Sequence, residues 1–293
     1  MQELKDKYID PFTDFGFKKL FGEENNKELL LDFLNELLHK EEGKIVSLSY
    51  LKTERLGVSE ESRRAIFDLY CENEKGEKFI VELQKTKQAF FKDRTLYYTT
   101  FPITEQAIPG DWNFELKAVY TVAILNFIFE ENKNDAEKYR YDVMLTDIET
   151  HKVFYDKLTF IYLEVPKFTK EADELETNFE KWMYVLKNLK RLDNIPERLQ
   201  DRLFERIFAS AEIAKLTPDE YRNYIDSLNS YRDLKNSLDY AKSEGVAEGI
   251  EKGIEKGIEK GKVEIVKNAK TLGLSIEQIQ KLTNLTKEEI EKI

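Results

Sequence analysis

The sequence has almost no cysteine or histidine. Cys71 is the single cysteine among 293 residues, and His39 and His151 are the two histidines. Zinc sites draw several ligands from these side chains, and a disulfide framework needs paired cysteines. A zinc site, a haem site and a disulfide framework are therefore nearly excluded. A bound metal would have to be a hard cation held by carboxylate and carbonyl oxygens.

Long apolar runs are also absent. The longest run, residues 118–129, is interrupted by Thr and Asn. It is shorter than the roughly 20 residues that a membrane-spanning helix needs. Residues 1–12 are charged throughout and lack the apolar segment of a signal peptide. We therefore expect a cytoplasmic protein that has no membrane partner.

The chain has no surplus of positive charge. Its 46 Lys and Arg residues are outnumbered by 57 Asp and Glu residues, so the formal net charge is −11. This balance argues against a protein that coats nucleic acid nonspecifically, although a local basic groove could still bind it. Hydrophobic residues make up 41% of the chain, which is enough for a sizeable core.

What the sequence does contain is a succession of helix and strand patterns. Apolar residues at helical or alternating spacing predict the order α-β-β-β-α-β. The predicted segments are helix 25–38, strands 44–50, 64–72 and 77–86, helix 88–106 and strand 116–127. The last strand is apolar enough to be buried on both faces. The order predicts an α/β fold whose mixed central sheet carries helices on both sides.

Further strand patterns at residues 139–145 and 157–165 extend this region, and the patterns become helical beyond it. We therefore predict one domain over residues 1–165, followed by a helical region over residues 170–243.

A four-residue repeat occupies residues 244–262. Its glycines are Gly245, Gly249, Gly253, Gly257 and Gly261. Each glycine inside a helix costs about 1 kcal/mol relative to alanine, so a flexible charged connector is the favoured interpretation. The alternative is a helix whose glycine stripe lets a partner helix approach closely. That alternative suits our expectation of a homodimer or higher homo-oligomer formed through the C-terminal helices.

Residues 263–293 form a predicted small helical tail. Ser275 and Thr286 each precede an amide or acid side chain by three residues, which is typical of a capped helix start. Two short helices in this arrangement resemble a helix-turn-helix. Most of the side chains on offer are acidic or amide, so we do not favour a DNA-reading role for the tail.

The most informative residues lie in the hairpin of the second and third predicted strands. A three-residue loop with Gly76 in the left-handed conformation pairs residues so that Asp68 stands opposite Glu82. Glu82 and Gln84 are two residues apart and share one face of the strand. Opposed carboxylates repel each other, and a divalent cation would turn both into ligands, with an amide oxygen available as a third.

A plainer interpretation is that Asp68 and Glu82 lie on the solvent face of an ordinary hairpin, as most carboxylates do. The surrounding sequences FDLYC and IVELQ are typical of central strands. A carboxylate buried in such strands needs compensation, so we favour the metal site.

These residues resemble the PD-(D/E)XK nuclease superfamily, which has a restriction-endonuclease-like core. The Asp on the second strand, the Glu-x-Gln on the third and the element order are all similar to it. The block DFGFKKLFG at residues 14–22, the run VELQ at residues 81–84 with the aromatic helix after it, and the glycine repeat resemble one bacterial branch. That branch comprises recombination-promoting nucleases or putative transposases. The resemblance covers roughly residues 8–165.

The resemblance implies metal-dependent endonucleolytic hydrolysis of DNA phosphodiester bonds, associated with recombination or transposition. Asp68 and Glu82 would be the catalytic residues that bind Mg²⁺, with Mn²⁺ as a substitute. Asp14 is either a further metal ligand or a helix cap.

Gln84 stands where the superfamily commonly has lysine. Gln84 can orient water or bind metal, but it carries no positive charge. Strand alternation predicts that Lys85 points to the opposite face and cannot replace that lysine. We favour Arg94 on the following helix as the replacement, because a guanidinium suits phosphate geometry. The alternative is that Arg94 is an ordinary surface residue.

The basic residues near this site predict where DNA binds. The expected DNA contacts are Lys18, Lys19, Lys87 and Lys92. A different function is also compatible with the residues, namely a catalytically silent protein that keeps the fold for interaction and oligomerisation. The carboxylate pair favours the enzyme, whereas the missing lysine and the acidic net charge keep the alternative open.

Overall fold

The computed structural model describes residues 6–38, 43–55 and 65–293. These residues form two compact units that divide between Tyr231 and Arg232. Residue 64, the predicted start of the second strand, lies outside the described residues.

The first part of the chain follows the predicted α-β-β-β-α-β order, with additional short elements. The strands are β1 Leu48–Tyr50, β2 Glu54–Arg55, β3 Ala65–Ile66, β4 Leu69–Asn73, β5 Lys78–Gln84, β6 Val119–Leu125, β7 Arg140–Thr146 and β8 Val153–Glu164. The α-helices are α1 Asp14–Phe21, α2 Lys27–Leu38, α3 Phe91–Thr104, α4 Asn178–Asn188, α5 Arg202–Ala211, α6 Pro218–Thr271, α7 Ile276–Thr283 and α8 Lys287–Lys292.

The main sheet has six strands in the order β1-β4-β5-β6-β8-β7. Strands β5, β6 and β8 are parallel, whereas β1, β4 and β7 join antiparallel to their neighbours. Every residue of β6 is buried because this strand lies inside the sheet and both of its faces are covered. The predicted α/β fold with a mixed central sheet and helical C-terminal region is confirmed.

The central hairpin has the predicted register. Leu69 pairs with Val81, and the pairing continues in step to Glu72 and Lys78. Gly76 in the loop has a φ of 80°, the left-handed conformation that glycine adopts without strain.

The single strand predicted over residues 64–72 is two strands in the structure. Strand β3 pairs with β2 in a separate two-stranded sheet, whereas β4 pairs with β5. The register that places Asp68 opposite Glu82 also predicts that Ile66 stands opposite Gln84, and this is wrong because Ile66 pairs with Glu54. The chain leaves the main sheet at Asp68, where side-chain hydrogen bonds replace the backbone ladder.

The helices that follow the sheet pack into the core formed by the first two helices. Trp182 of α4 is fully buried, with ring centroids 5.5 Å from Phe21 and 5.4 Å from Phe33. Its Nε1–H donates to Asp32 Oδ2 at 2.8 Å. Near the start of α6, Tyr224 is fully buried in the same cluster. The first two helices, one face of the main sheet and the helices from α4 to the start of α6 thus share one core.

The second unit contains the end of α6 and the two helices of the tail. The glycine repeat, which the sequence leaves open between a connector and a helix, lies within α6 and is helical. Ser275 and Thr286 cap α7 and α8 with reciprocal capping boxes, as predicted. Val266, Ile279 and Ile290 form the centre of this small core.

None of the helices within the described residues combines the length and the apolar character that crossing a membrane requires.

Candidate active site

Asp68 and Glu82 lie across from each other where β4 and β5 part. The backbone N–H of Asp68 donates to Glu82 Oε1 at 3.2 Å. The backbone N–H of Leu83 donates to Asp68 Oδ2 at 2.7 Å. Each carboxylate thus accepts a hydrogen bond from the opposite strand, at the point where the regular ladder stops. These two bonds hold the carboxylates in place on one edge of the hairpin.

The pair occupies an environment that disfavours two negative charges. Glu82 is only 5% exposed, and burial together with the charge of Asp68 raises the pKa of Glu82 to about 8. Burial also raises the pKa of Asp68, and the nearby charge of Asp14 acts in the same direction. Without a cation, the pair therefore retains a proton near neutral pH. A bound divalent ion would offset the repulsion between the two carboxylates, so both could be ionised.

Arg94 reaches the same site from α3. Its Nη2–H donates to Gln84 Oε1 at 2.5 Å, and its Nη1–H donates to Gln88 Oε1 at 2.6 Å. The guanidinium lies 4.9 Å from the ring centre of Phe91 and 5.7 Å from that of Tyr98. The positive charge of Arg94 counteracts the rise in the pKa of Glu82. The predicted partners Gln84 and Arg94 are therefore brought together, and the Gln84 oxygen accepts from Arg94.

Lys85 also lies at the site, which strand alternation did not predict. Strand β5 ends at Gln84, so the direction of the next side chain no longer follows the alternation. Lys85 Nζ lies 2.7 Å from Asp14 Oδ1, and the positive charge of Lys85 counteracts the rise in the pKa of Asp68. The expectation that Lys85 points away from the site is wrong. Only the end of the strand, which the sequence pattern does not mark, could have revealed it.

Asp14 is the first residue of α1 but does not cap it. The cap is Thr13, whose Oγ1 accepts from the backbone N–H of Gly16 at 3.0 Å. The interpretation of Asp14 as a helix cap is therefore wrong. Asp14 is exposed and ion-paired with Lys85, and its predicted role as a metal ligand stays a prediction.

The two lysines predicted to bind DNA from α1 differ in their surroundings. Both line a cleft of about 320 Å³ that has Asp68 in its wall. Lys18 is exposed, and its charge counteracts the rise in the pKa of Asp68. Lys19 is ion-paired with Glu220 at 2.5 Å and with Glu23 at 3.0 Å. Lys18 is thus the better placed of the two for a phosphate near Asp68.

The other two predicted DNA contacts lie near the start of α3, Lys92 in its first turn and Lys87 before it. Lys87 pairs with Glu130 at 2.8 Å, and Lys92 pairs with Glu131. All four side chains are about half exposed or more. Exposed ion pairs contribute little stability, typically about 0–1 kcal/mol, so both lysines can exchange their carboxylate partner for a phosphate.

The donor set fits a hard divalent cation. Among residues 6–38, 43–55 and 65–293, no group of three or more His, Cys, Asp or Glu side chains could hold a metal ion. Two hydrogen-bonded carboxylates remain, which suits an ion that keeps several waters and takes its other oxygens from a substrate phosphate. The close approach of half-buried Asp68 and buried Glu82 is the observation that favours such an ion.

A family model described as PD-(D/E)XK nuclease family transposase matches residues 11–241 of the chain. The match covers well over half of the chain and contains every site residue named above. The chain matches no curated protein and no solved structure.

Proposed function

Because this chain belongs to the PD-(D/E)XK nuclease family transposases, we propose that it is a metal-dependent DNA endonuclease that serves recombination or transposition. The observation that carries the proposal is the carboxylate pair formed by half-buried Asp68 and buried Glu82. Each carboxylate is fixed by a backbone N–H of the opposite strand, and their pKa values are raised in the absence of a cation.

Asp68 and Glu82 are the residues that would hold Mg²⁺ or Mn²⁺. When bound, such an ion polarises the scissile phosphate and lowers the pKa of an attacking water. The two backbone hydrogen bonds fix the carboxylates before substrate arrives, so little reorganisation is needed during reaction.

The cations around the pair would bind the substrate's charge. Arg94 is held by Gln84 and Gln88, so its guanidinium is already oriented beside Glu82. We propose that Arg94 contacts a phosphate oxygen next to the cleaved bond. Lys18 lies near Asp68 and would bind a phosphate on that side, and Lys85 would do so after releasing Asp14. Lys19, Lys87 and Lys92 would contribute only by releasing the glutamates with which they now pair.

We also propose that the chain self-associates through its C-terminal helices. Ile250, Ile254 and Ile258 of α6 are each more than half exposed. A Cβ added at the neighbouring glycines would meet no described atom within 4 Å. An apolar and sterically open helix face of this kind is suited to cover by a second helix.

The alternative function is a catalytically silent interaction protein with the same fold. The feature in its favour is that Gln84 is neutral and already engaged by Arg94. Such a protein would keep the helices and the glycine repeat for assembly and would turn over no DNA.

Nicking of supercoiled plasmid in Mg²⁺ or Mn²⁺ distinguishes the two functions. We expect the wild-type chain to nick the plasmid and the Asp68→Ala variant to be slower by about 100-fold or more, since loss of metal stabilisation costs several kcal/mol. Asp111→Ala, which removes an exposed loop carboxylate, is the matched control and should nick like wild type. Equal activity of wild type and Asp68→Ala, or none in either, would contradict the proposal.

A further inference from the structure

A second cleft lies between α3 and the β7–β8 end of the sheet. Its volume is about 260 Å³. Four aromatic residues line it, Phe129, Tyr141, Phe160 and Tyr162, and the aliphatic side chains of Leu96 and Val143 lie at its edges. The function proposed above leaves this cleft unused.

The aromatic walls are fixed by their neighbours. Phe160 and Tyr162 stack with an interplanar angle of 5° and centroids 6.4 Å apart. Phe129 meets Tyr162 edge to face at 5.7 Å. The Tyr162 hydroxyl is hydrogen-bonded to Thr95 Oγ1 at 2.8 Å. The cleft therefore offers preformed aromatic surface, and little side-chain freedom is lost when a flat molecule enters.

Polar and basic groups surround the aromatic walls. Lys92 Nζ lies 4.6 Å from the ring centre of Phe129, and the amide of Asn132 lines the cleft. Apolar walls with a few polar groups are typical of sites for small planar ligands. Lys92 lines the cleft and is paired with Glu131, while Asn132 donates to the buried Glu164.

One aromatic residue connects the cleft to the candidate active site. Phe91 lies 6.4 Å from Tyr162 and 6.3 Å from Phe129, centroid to centroid. Phe91 also lies beside the Arg94 guanidinium, which contacts Gln84 near Glu82. Successive side-chain contacts through Phe91 and Arg94 thus link the cleft to the neighbourhood of the carboxylate pair.

We propose that this cleft binds an unpaired nucleobase of the strand that is cut. The inference rests on the proposed nuclease function and adds the kind of substrate, namely DNA with an unpaired base beside the scissile phosphate. A cleft of this size is below the usual range for drug-sized ligands, roughly 300–1,000 Å³, and suits one planar ring system. A base in duplex DNA must first be unstacked and unpaired, whereas an unpaired base enters at little cost.

The test uses two variants that act on the cleft in different ways. Val143→Trp fills it, and Val143 is 45% exposed, so the larger side chain leaves the core intact. Phe160→Leu removes one aromatic face and keeps an apolar side chain. Ile148→Trp, on the same hairpin at a position 87% exposed, is the matched control for an added indole.

The measurement is binding of an oligonucleotide that carries 2-aminopurine, single-stranded or in a duplex, with Ca²⁺ replacing Mg²⁺. Stacking of one base on an aromatic side chain changes affinity about fivefold to a hundredfold. We expect wild type and Ile148→Trp to prefer the single strand by at least about fivefold and to quench its fluorescence. Val143→Trp and Phe160→Leu should lose both effects.

Two results would overturn the inference. One is a folded Phe160→Leu variant that keeps the wild-type preference and quenching. The other is a Val143→Trp variant with altered sedimentation mass and unaltered DNA binding, because a second copy of the chain would then be the occupant. Plasmid nicking by the wild type in Mg²⁺ reports on the nuclease function separately. If the wild type nicks plasmid but the cleft variants bind DNA as it does, only the base site is contradicted. If the wild type does not nick but the cleft variants lose base binding, only the hydrolytic function is contradicted.

Discussion

Replacing Glu82 with glutamine should stabilise the protein in the absence of metal. Glutamine is neutral and keeps an oxygen that can accept from the Asp68 N–H, as Glu82 does at 3.2 Å. It removes the ionisable group that burial and the neighbouring charge of Asp68 disfavour. The residue that we propose as a metal ligand should thus weaken the metal-free fold.

The magnitude and its pH dependence follow from the pKa of Glu82, which rises from 4.5 to about 8 on folding. Between these pH values the folded chain holds a proton that the unfolded chain has released, so wild-type stability falls as the pH rises. Each pH unit in this window costs about 1.4 kcal/mol, which gives about 3 kcal/mol at pH 7. The Glu82→Gln variant lacks this loss and should unfold roughly 6–12 °C higher than wild type at pH 7.

Thermal unfolding in EDTA, followed by the fluorescence of the fully buried Trp182, measures this difference. The gain should shrink to nearly zero toward pH 4.5. Added Mg²⁺ should raise the unfolding temperature of wild type and not that of Glu82→Gln. Glu115→Gln, at an exposed position, should match wild type under every condition. A Glu82→Gln variant that is less stable than wild type at pH 7, or equally shifted at all pH values, would refute the reasoning.

Three further predictions concern the cations, the hairpin and the C-terminal helices. Arg94→Lys should retain more nicking activity than Arg94→Ala, which should lose about 10- to 100-fold, because lysine keeps the charge without the bidentate geometry; equal rates would contradict a phosphate role for Arg94. Gly76→Ala should lower the free energy of unfolding by about 1 kcal/mol, since φ is 80° there, and denaturant unfolding that matches wild type would contradict this. Truncation after Ser243 should leave a folded first unit and abolish self-association in analytical ultracentrifugation, and a dimer that persists would show that α6 is only a connector.

The sequence predicts the hairpin well because its determinants are local. A loop glycine and a strict alternation fix the register, so the opposition of Asp68 and Glu82 follows from residues close together in the chain. The prediction fails where a strand ends. Lys85 leaves the alternation one residue after β5, and neither its charge nor its neighbours indicate this.

The sequence also did not indicate the ion pairs between residues that are far apart in the chain. Lys19 forms an ion pair with Glu220, and Lys87 forms one with Glu130, because the fold brings distant segments together. The sequence suggested four lysines near the site as DNA contacts but did not indicate which of them are ion-paired. The glycine repeat was ambiguous for a different reason, since helix propensity disfavours it and the surrounding helix nevertheless continues through it.

Anomalous diffraction from crystals grown with Mn²⁺ tests directly whether Asp68 and Glu82 bind a metal ion. We expect an Mn²⁺ peak within coordination distance of both carboxylates, roughly 2.0–2.6 Å from their oxygens. The peak should be absent from crystals of Glu82→Gln. Saturating Mn²⁺ with no peak between the two wild-type carboxylates would contradict the account.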